Sequence, residues 1–288
     1  MEIIFSGVEY RYMQGTPFET LALTNIDIEI PSGSFVAIIG STGSGKSTFV
    51  QHINGLLKPT KGTVQVGPFT LKADEKNVDL KPLRKEVGFV FQYPEHQLFA
   101  ETVEDDICFG PLNFGMKKDV VLKKVKKWLP ELGLSEELLA SSPFSLSGGQ
   151  MRRVAIAGVL AQEPSILVLD EPAAGLDPAG RKSIMDFFVR YHETHGTTTI
   201  FVTHHMEDAA KYAERIIVLN DGRIEMDGSC DLIFKEAEKL QQIGLDVPDT
   251  VRFLKSLQER FHLKDVPIEF EVDKIADFIA SLVKEKVE

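Results

Sequence analysis

A chain of 288 residues, 43% hydrophobic and 26% charged, is long enough for one large domain with a small appendage and needs no disulfide or structural metal to hold its core. Its formal charge of −11 argues against a large nucleic-acid or anionic-lipid footprint, which would demand clustered Lys and Arg. The two cysteines, Cys108 and Cys230, lie far apart without a CxxC or His-rich setting, so they suggest neither a zinc site nor a disulfide framework and read as isolated thiols in a reducing compartment.

The opening Met1-Glu2-Ile3-Ile4-Phe5 lacks the basic run and long apolar core of a secretory signal, which points to the cytoplasm. No apolar run approaches the roughly 20 residues of a membrane-spanning helix, so any membrane contact goes through partners. Ile26, Ile28 and Ile30 alternate with Asp27 and Glu29 before Pro31-Ser32-Gly33 turns the chain, which predicts a half-buried strand of an antiparallel sheet. From Phe35 the pattern changes to short continuous apolar runs at 35–39, 87–91, 166–169 and 199–202, as expected of parallel strands covered on both faces. Helical segments lie between them. Ile184, Phe187, Phe188 and Tyr191 fall at i, i+3, i+4 and i+7, one apolar stripe. Residues 104–162 hold no convincing strand and predict a helical insertion. A hairpin is expected at 216–226 around Asp221-Gly222, followed by a boundary near Gly228 and a helical tail over 229–288. In the tail Ile275, Phe278, Ile279 and Leu282 form a second stripe that needs something to pack on.

Gly40-Ser41-Thr42-Gly43-Ser44-Gly45-Lys46-Ser47 matches GxxxxGK[ST] between a predicted strand and a predicted helix, the setting a phosphate loop requires. Its glycines let consecutive N–H groups curl toward phosphates, and the helix N-terminus favours anions. Lys46 is expected to reach the β- and γ-phosphates and the Ser47 hydroxyl to serve Mg²⁺, a hard ion; Thr48 completes the nucleotide-binding stretch. The run 165–169 ends in Asp170 and Glu171, and open α/β sheets bind ligands at the carboxyl ends of their strands. Both acids are thus expected beside the phosphate loop, Asp170 to hold Mg²⁺ and Glu171 to orient and deprotonate the attacking water. ATP and Mg²⁺ are the expected cofactors. The fold expectation is an α/β phosphate-loop NTPase with a mainly parallel sheet, an N-terminal antiparallel subdomain, a helical insertion and a small helical C-terminal extension.

Leu146-Ser147-Gly148-Gly149-Gln150 resembles the signature of ABC ATPases. The family's remaining motifs follow in order: Gln92 after 87–91, Ala174-Gly175-Leu176-Asp177, and His204 after Thr203. The resemblance covers residues 1–228. It implies that Gln92 senses Mg²⁺ and relays to the helical part, that His204 rather than the adjacent His205 contacts the γ-phosphate, and that Asp177 communicates across a dimer. It also implies that Tyr12 stacks on adenine, although both Tyr12 and Tyr10 suit plain sheet packing. In the family Ser147, Gly148, Gly149 and Gln150 close over ATP held by the partner subunit, which makes one chain half of a two-ATPase motor.

Phe91-Gln92-Tyr93-Pro94-Glu95-His96-Gln97-Leu98-Phe99, with Phe109-Gly110-Pro111 and the residues around the signature, resembles the ATPases of energy-coupling factor transporters, second-ATPase type. That resemblance implies a second ABC ATPase, often in a heterodimer although a homodimer is chemically sufficient. It further implies a transmembrane coupling protein, a substrate-binding membrane protein, uptake of vitamins or metal ions, and a peripheral place on the cytoplasmic face of the membrane. Leu98 and Phe99 suit either a groove for a partner's helix or subdomain core, and the tail either a dimer contact or a helix folded back on its own domain. A conventional binding-protein-dependent importer shares the motor motifs and differs only around Gln92 and in the tail. A soluble ATPase acting on nucleic acid or ribosomes is disfavoured, since no long coiled coil splits the motor and one motor is present.

Overall fold

Two sheets clamp the first helix of the chain between them. The structure, a computed structural model, describes all residues except 74, 76, 77, 265 and 286–288, and side chains except those of 283–285 as well. One sheet is antiparallel, in the order β2-β1-β4-β5, from β1 (Ile3–Tyr12), β2 (Thr20–Ile30), β4 (Lys61–Val66) and β5 (Phe69–Lys72). The other runs β10-β9-β3-β8-β7-β6. Its strands β3 (Phe35–Gly40), β6 (Val87–Val90), β7 (Ile166–Asp170), β8 (Thr198–Val202) and β9 (Arg215–Asn220) are parallel, and β10 (Arg223–Gly228) returns antiparallel on β9.

The continuous apolar runs arise because each parallel strand sends alternate side chains to two different cores. Val36 and Ile38 of β3, Ile166 and Val168 of β7, and Ile200 and Val202 of β8 face the core shared with the antiparallel sheet. Phe35, Ala37 and Ile39, with Leu167, Leu169 and Phe201, face the opposite core, which the helices cover. The pairing of β6 with β7 ends at Val90↔Leu169, so Phe91, expected in the strand, has already left the ladder. Ile26, Ile28 and Ile30 are buried on one face of β2, as their alternation requires.

Helix α1 (Lys46–Ile53) follows β3 directly, and α2 (Lys81–Glu86) leads into β6. The stretch expected to be a helical insertion holds α3 (Val103–Asn113), α4 (Lys118–Trp128) and α5 (Gly148–Leu160), with three short 3-10 helices between α4 and α5. Ser147 caps α5: its hydroxyl accepts from the Gln150 amide while the Gln150 side chain accepts from the Ser147 amide, a reciprocal capping box. Helix α6 (Pro178–His195) buries the stripe Ile184, Phe187, Phe188 and Tyr191 and stops at Gly196, whose φ of 61° suits a left-handed cap. Helix α7 (Met206–Tyr212) precedes β9.

Beyond β10 come α8 (Cys230–Lys235), α9 (Ala237–Gln242), α10 (Asp249–Phe261) and α11 (Val272–Glu285). Ile233, Phe234, Ala237 and Leu240 of α8 and α9 join the same core as Ile216 and Val218 of β9. Among the described side chains of α11 only Ile275 is buried, and Phe278, Ile279 and Leu282 are half-buried.

The clamp on α1 is aromatic. Phe49 stacks on Phe5 of β1 at 4.3 Å, and His52 meets Tyr10 edge-on at 5.1 Å. The His52 ring is fully buried, and its Nδ1 lies 2.7 Å from the Thr48 carbonyl; a carbonyl only accepts, so Nδ1 carries the proton. Its Nε2 has no hydrogen-bond partner, and burial lowers the imidazole pKa to about 4 against the opposing backbone hydrogen bond. An unfolded chain therefore takes up a proton below pH ~6.5 that the folded one refuses. Folding stability should fall as pH drops from about 6.5 toward about 4, by up to about 3 kcal/mol from this residue, and be independent of it above that window. Denaturant curves across that range should show the slope, and His52→Gln should flatten it. An equal slope in the variant would place the effect elsewhere.

Candidate active site

The phosphate-loop segment runs from the end of β3 into α1, and its backbone is fixed by neighbours that leave no space. A Cβ on Gly40 would lie 2.3 Å from the Leu219 carbonyl oxygen and 2.4 Å from Ser44 Oγ; one on Gly45 would lie 2.8 Å from the Ala22 carbonyl oxygen. Gly43 and Gly45 have φ of 84° and 101°, which only glycine adopts freely. The β9–β10 hairpin backs the loop: the Gly222 amide donates to the Ser44 carbonyl, and the Gly222 carbonyl accepts from the Thr24 amide. Lys46 folds its ammonium over the loop, donating to the carbonyls of Gly40 at 2.8 Å and Ser41 at 2.9 Å. Burial lowers its pKa, while the carboxylates of Glu171 and Asp170 pull it back up.

Adjacent strands bring the other polar residues together. In the order β8-β7-β6, His204 follows the end of β8, Glu171 the end of β7 and Gln92 the end of β6. Gln92 Nε2 donates to Glu171 Oε2 at 2.8 Å, and His204 Nδ1 lies 3.3 Å from the same oxygen. His205 instead lies tilted against the His204 ring, with centroids 4.1 Å apart. Glu171 itself sits at φ 50°, a left-handed conformation that costs a non-glycine residue roughly 1–2 kcal/mol and that tends to occur at functional sites. Asp170 is buried, which raises its pKa, and its hydrogen bond to Ser47 works the other way. Ser47 and Asp170 thus set two oxygen donors side by side next to Lys46, a donor set that fits a hard divalent cation.

Tyr12, Thr42, Gly43, Gly45, Lys46, Ser47, Thr48 and Glu171 line one cleft of about 380 Å³. Tyr12 is turned to its mouth by a hydroxyl contact with Thr48 Oγ1 at 3.0 Å and by an edge-on ring contact with Tyr10 at 4.8 Å. Tyr10 therefore packs between Tyr12 and His52, while Tyr12 is the more exposed ring and lines the cleft.

The structure does not bring Ser147, Gly148, Gly149 and Gln150 to this cleft. Among the described residues, no hydrogen bond joins them to the phosphate loop. Gly148 and Gly149 have ordinary φ, and a Cβ on either would meet nothing within 4 Å. Asp177 caps α6, accepting from the Gly180 amide at 2.7 Å. Sequence reasoning gave no role to the hairpin glycine Gly222 or to Arg152. Arg152 is buried although its neighbours along α5 read as an ordinary amphipathic helix; a charged side chain on that helix's inner face was the available signal.

The ABC transporter family model matches residues 23–174. The chain is 56% identical over 274 residues, 95% of this chain and 97% of the relative, to the energy-coupling factor transporter ATP-binding protein EcfA2 of Halalkalibacterium halodurans. It is also 56% identical over 91% of its length to the protein of the same name from Bacillus anthracis. Among solved structures, cbiO1 from Clostridium perfringens, part of the ABC transporter complex cbiONQ, superposes with a TM-score of 0.72 at 36% identity, covering 88% of this chain and 98% of that one. The ATP-binding cassette MJ0796, solved as a dimer bound to ADP and Pi, superposes with a TM-score of 0.69 at 32% identity over 79% of this chain and 98% of its own. Geometry and similarity agree that this chain belongs to the ABC transporter family, as an ATPase subunit of the energy-coupling factor branch, EcfA2 type.

Proposed function

We propose that the chain is one of two ATPases that power uptake of vitamins or metal ions, seated on the cytoplasmic face of the membrane beneath a transmembrane coupling protein and a substrate-binding membrane protein. In this reading Glu171 accepts a proton from water as its oxygen attacks the γ-phosphorus of ATP. As the new P–O bond forms, the bond to the β-phosphate oxygen breaks, and ADP and phosphate are released. Lys46 and the loop N–H groups hold the phosphates, and Tyr12 stacks on the adenine.

The observation that carries the reading is the setting of Glu171. Gln92 and His204 both address Oε2, which orients the carboxylate and leaves Oε1 to take the proton. Ser47 and Asp170, with the amide oxygen of Gln92, suit Mg²⁺, which supplies charge neutralisation of the β- and γ-phosphates when bound.

A second ATPase is supported by the open space around Gly148 and Gly149. Glycine in a helix costs up to about 1 kcal/mol relative to alanine, and among the described residues nothing stands where a Cβ would be; a partner's nucleotide approaching the backbone would use that space. That partner is a related ATPase in a heterodimer, and a homodimer is chemically sufficient because each chain carries both halves. No helix among the described residues is long and apolar enough to cross a membrane, and the exposed Phe99 and Phe109, edge-on at 4.8 Å, suit docking to a coupling protein. The C-terminal extension over 229–288 holds the two ATPases together through the apolar face of α11.

Two substitutions test this. Glu171→Gln should lower ATP turnover by about 10²–10⁴-fold, the range lost with a general base, while the subunits stay closed on unhydrolysed ATP; turnover at the parental rate removes the assignment. Gly149→Ala should fold normally and bind ATP as a single chain with unchanged affinity, yet lose at least about tenfold in turnover within the complex. Loss of folding instead would show that the glycine serves this chain's own packing.

A further inference from the structure

Arg152, in the second turn of α5, has a side chain only 6% exposed. A buried guanidinium is costly unless its donors are paired, and Arg152 is paired in three directions. Nε and Nη2 donate to the two carboxylate oxygens of Glu95 at 3.1 and 3.4 Å, Nη2 also donates to the Gln92 carbonyl at 3.1 Å, and Nη1 donates to the Ala174 carbonyl at 2.6 Å. The acceptors belong to the two segments that flank Glu171. Gln92 holds the Glu171 carboxylate through its side chain, and the Ala174 amide donates to the Glu171 carbonyl at 3.0 Å. Ser147, where the same helix is capped, is exposed and faces outward.

We infer that Arg152, paired with Glu95, is a positioning residue that makes the signature helix, the 92–97 segment and the 172–177 segment move as one body. Closure of this chain's signature on a partner's nucleotide is thereby tied to the setting of its own Glu171. The inference rests on the roles given above to Glu171 and the signature. Geometry explains the residue type. The planar fork of arginine carries five N–H donors and spans a carboxylate and two carbonyls at once, whereas a lysine ammonium is one point with three donors on a thinner stem. Among the described residues no hydrogen bond joins Arg152 to the phosphate loop, so its loss should leave nucleotide binding alone.

The test uses the assembled transporter, with ATP turnover and substrate uptake measured together. Arg152→Lys should lower kcat about tenfold with the KM for ATP within about twofold, and ATP affinity of the single chain should be unchanged. Uptake per ATP should fall as well, which a merely structural defect that reduced the folded fraction would not produce. Glu95→Gln should give the same pattern, and the double variant should lose no more than the worse single one, because both break one connection. Where Arg152→Lys fails to fold, Glu95→Gln, with its side chain 18% exposed, carries the same test. Parental kcat in either variant, or losses that multiply in the double, would overturn the tie. Glu171→Gln in the same assay separates the two readings: if it too retains full turnover, the role of Glu171 falls and the tie with it. If only Arg152→Lys retains turnover, the tie falls alone.

Discussion

Gly40 has no room for a methyl group, because the Leu219 carbonyl and Ser44 Oγ already occupy the place where a Cβ would stand. That close approach of β9 to the end of β3 holds the phosphate loop against the sheet, and the other site residues take their positions from the same sheet edge. With the loop fixed, Lys46 starts α1 where its ammonium covers the Gly40 and Ser41 carbonyls. The neighbouring strands β8 and β6 then deliver His204 and Gln92 to one carboxylate oxygen of Glu171, which follows β7. Residues far apart in sequence meet because their strands are parallel and adjacent, so their following residues emerge on one side.

The antiparallel sheet serves this arrangement from the other face. Phe5 and Tyr10 of β1 grip Phe49 and His52 of α1, and the same strand ends in Tyr12, whose hydroxyl meets Thr48 on that helix. The place of the Tyr12 ring is therefore coupled to the helix that follows the phosphate-loop segment. A fully buried imidazole without a partner for Nε2 is a stability cost accepted at the centre of this joint.

The parallel strands were legible in the sequence because coverage on both faces makes them continuous apolar runs, and their ends differ from expectation only by a residue or so. The antiparallel sheet was legible only in β2. In β1 the register shifts between Phe5 and Val8 and again between Val8 and Tyr10, so no simple period survives, and β4 and β5 are too short to announce themselves. The phosphate loop and the acids after β7 were legible because their spacing is local. The meeting of Gln92, His204 and Glu171 depends on strand order, and the pairing of Arg152 with Glu95 on how α5 lies across the 92–97 segment. Spacing along the chain encodes neither. The tail's amphipathic stripe was visible, but the burial of Phe234 and Leu240 in the main core was not, since apolar helices look alike whichever surface receives them.

Within one chain Glu171 and the phosphate loop share a cleft, while Ser147, Gly148 and Gly149 face open space on a helix tied by Arg152 to the segments that flank Glu171. In the function proposed above these are half a site of each kind, completed when two ATPases pair. The most direct measurement is purification of the tagged protein from its native membranes in mild detergent, with mass spectrometry of what accompanies it and assay of ATP turnover. The account predicts a second ATPase in equal amount, a multispanning coupling protein and small membrane proteins, with turnover confined to the assembly. Recovery of the chain alone, hydrolysing ATP as a monomer at the full rate, would contradict it.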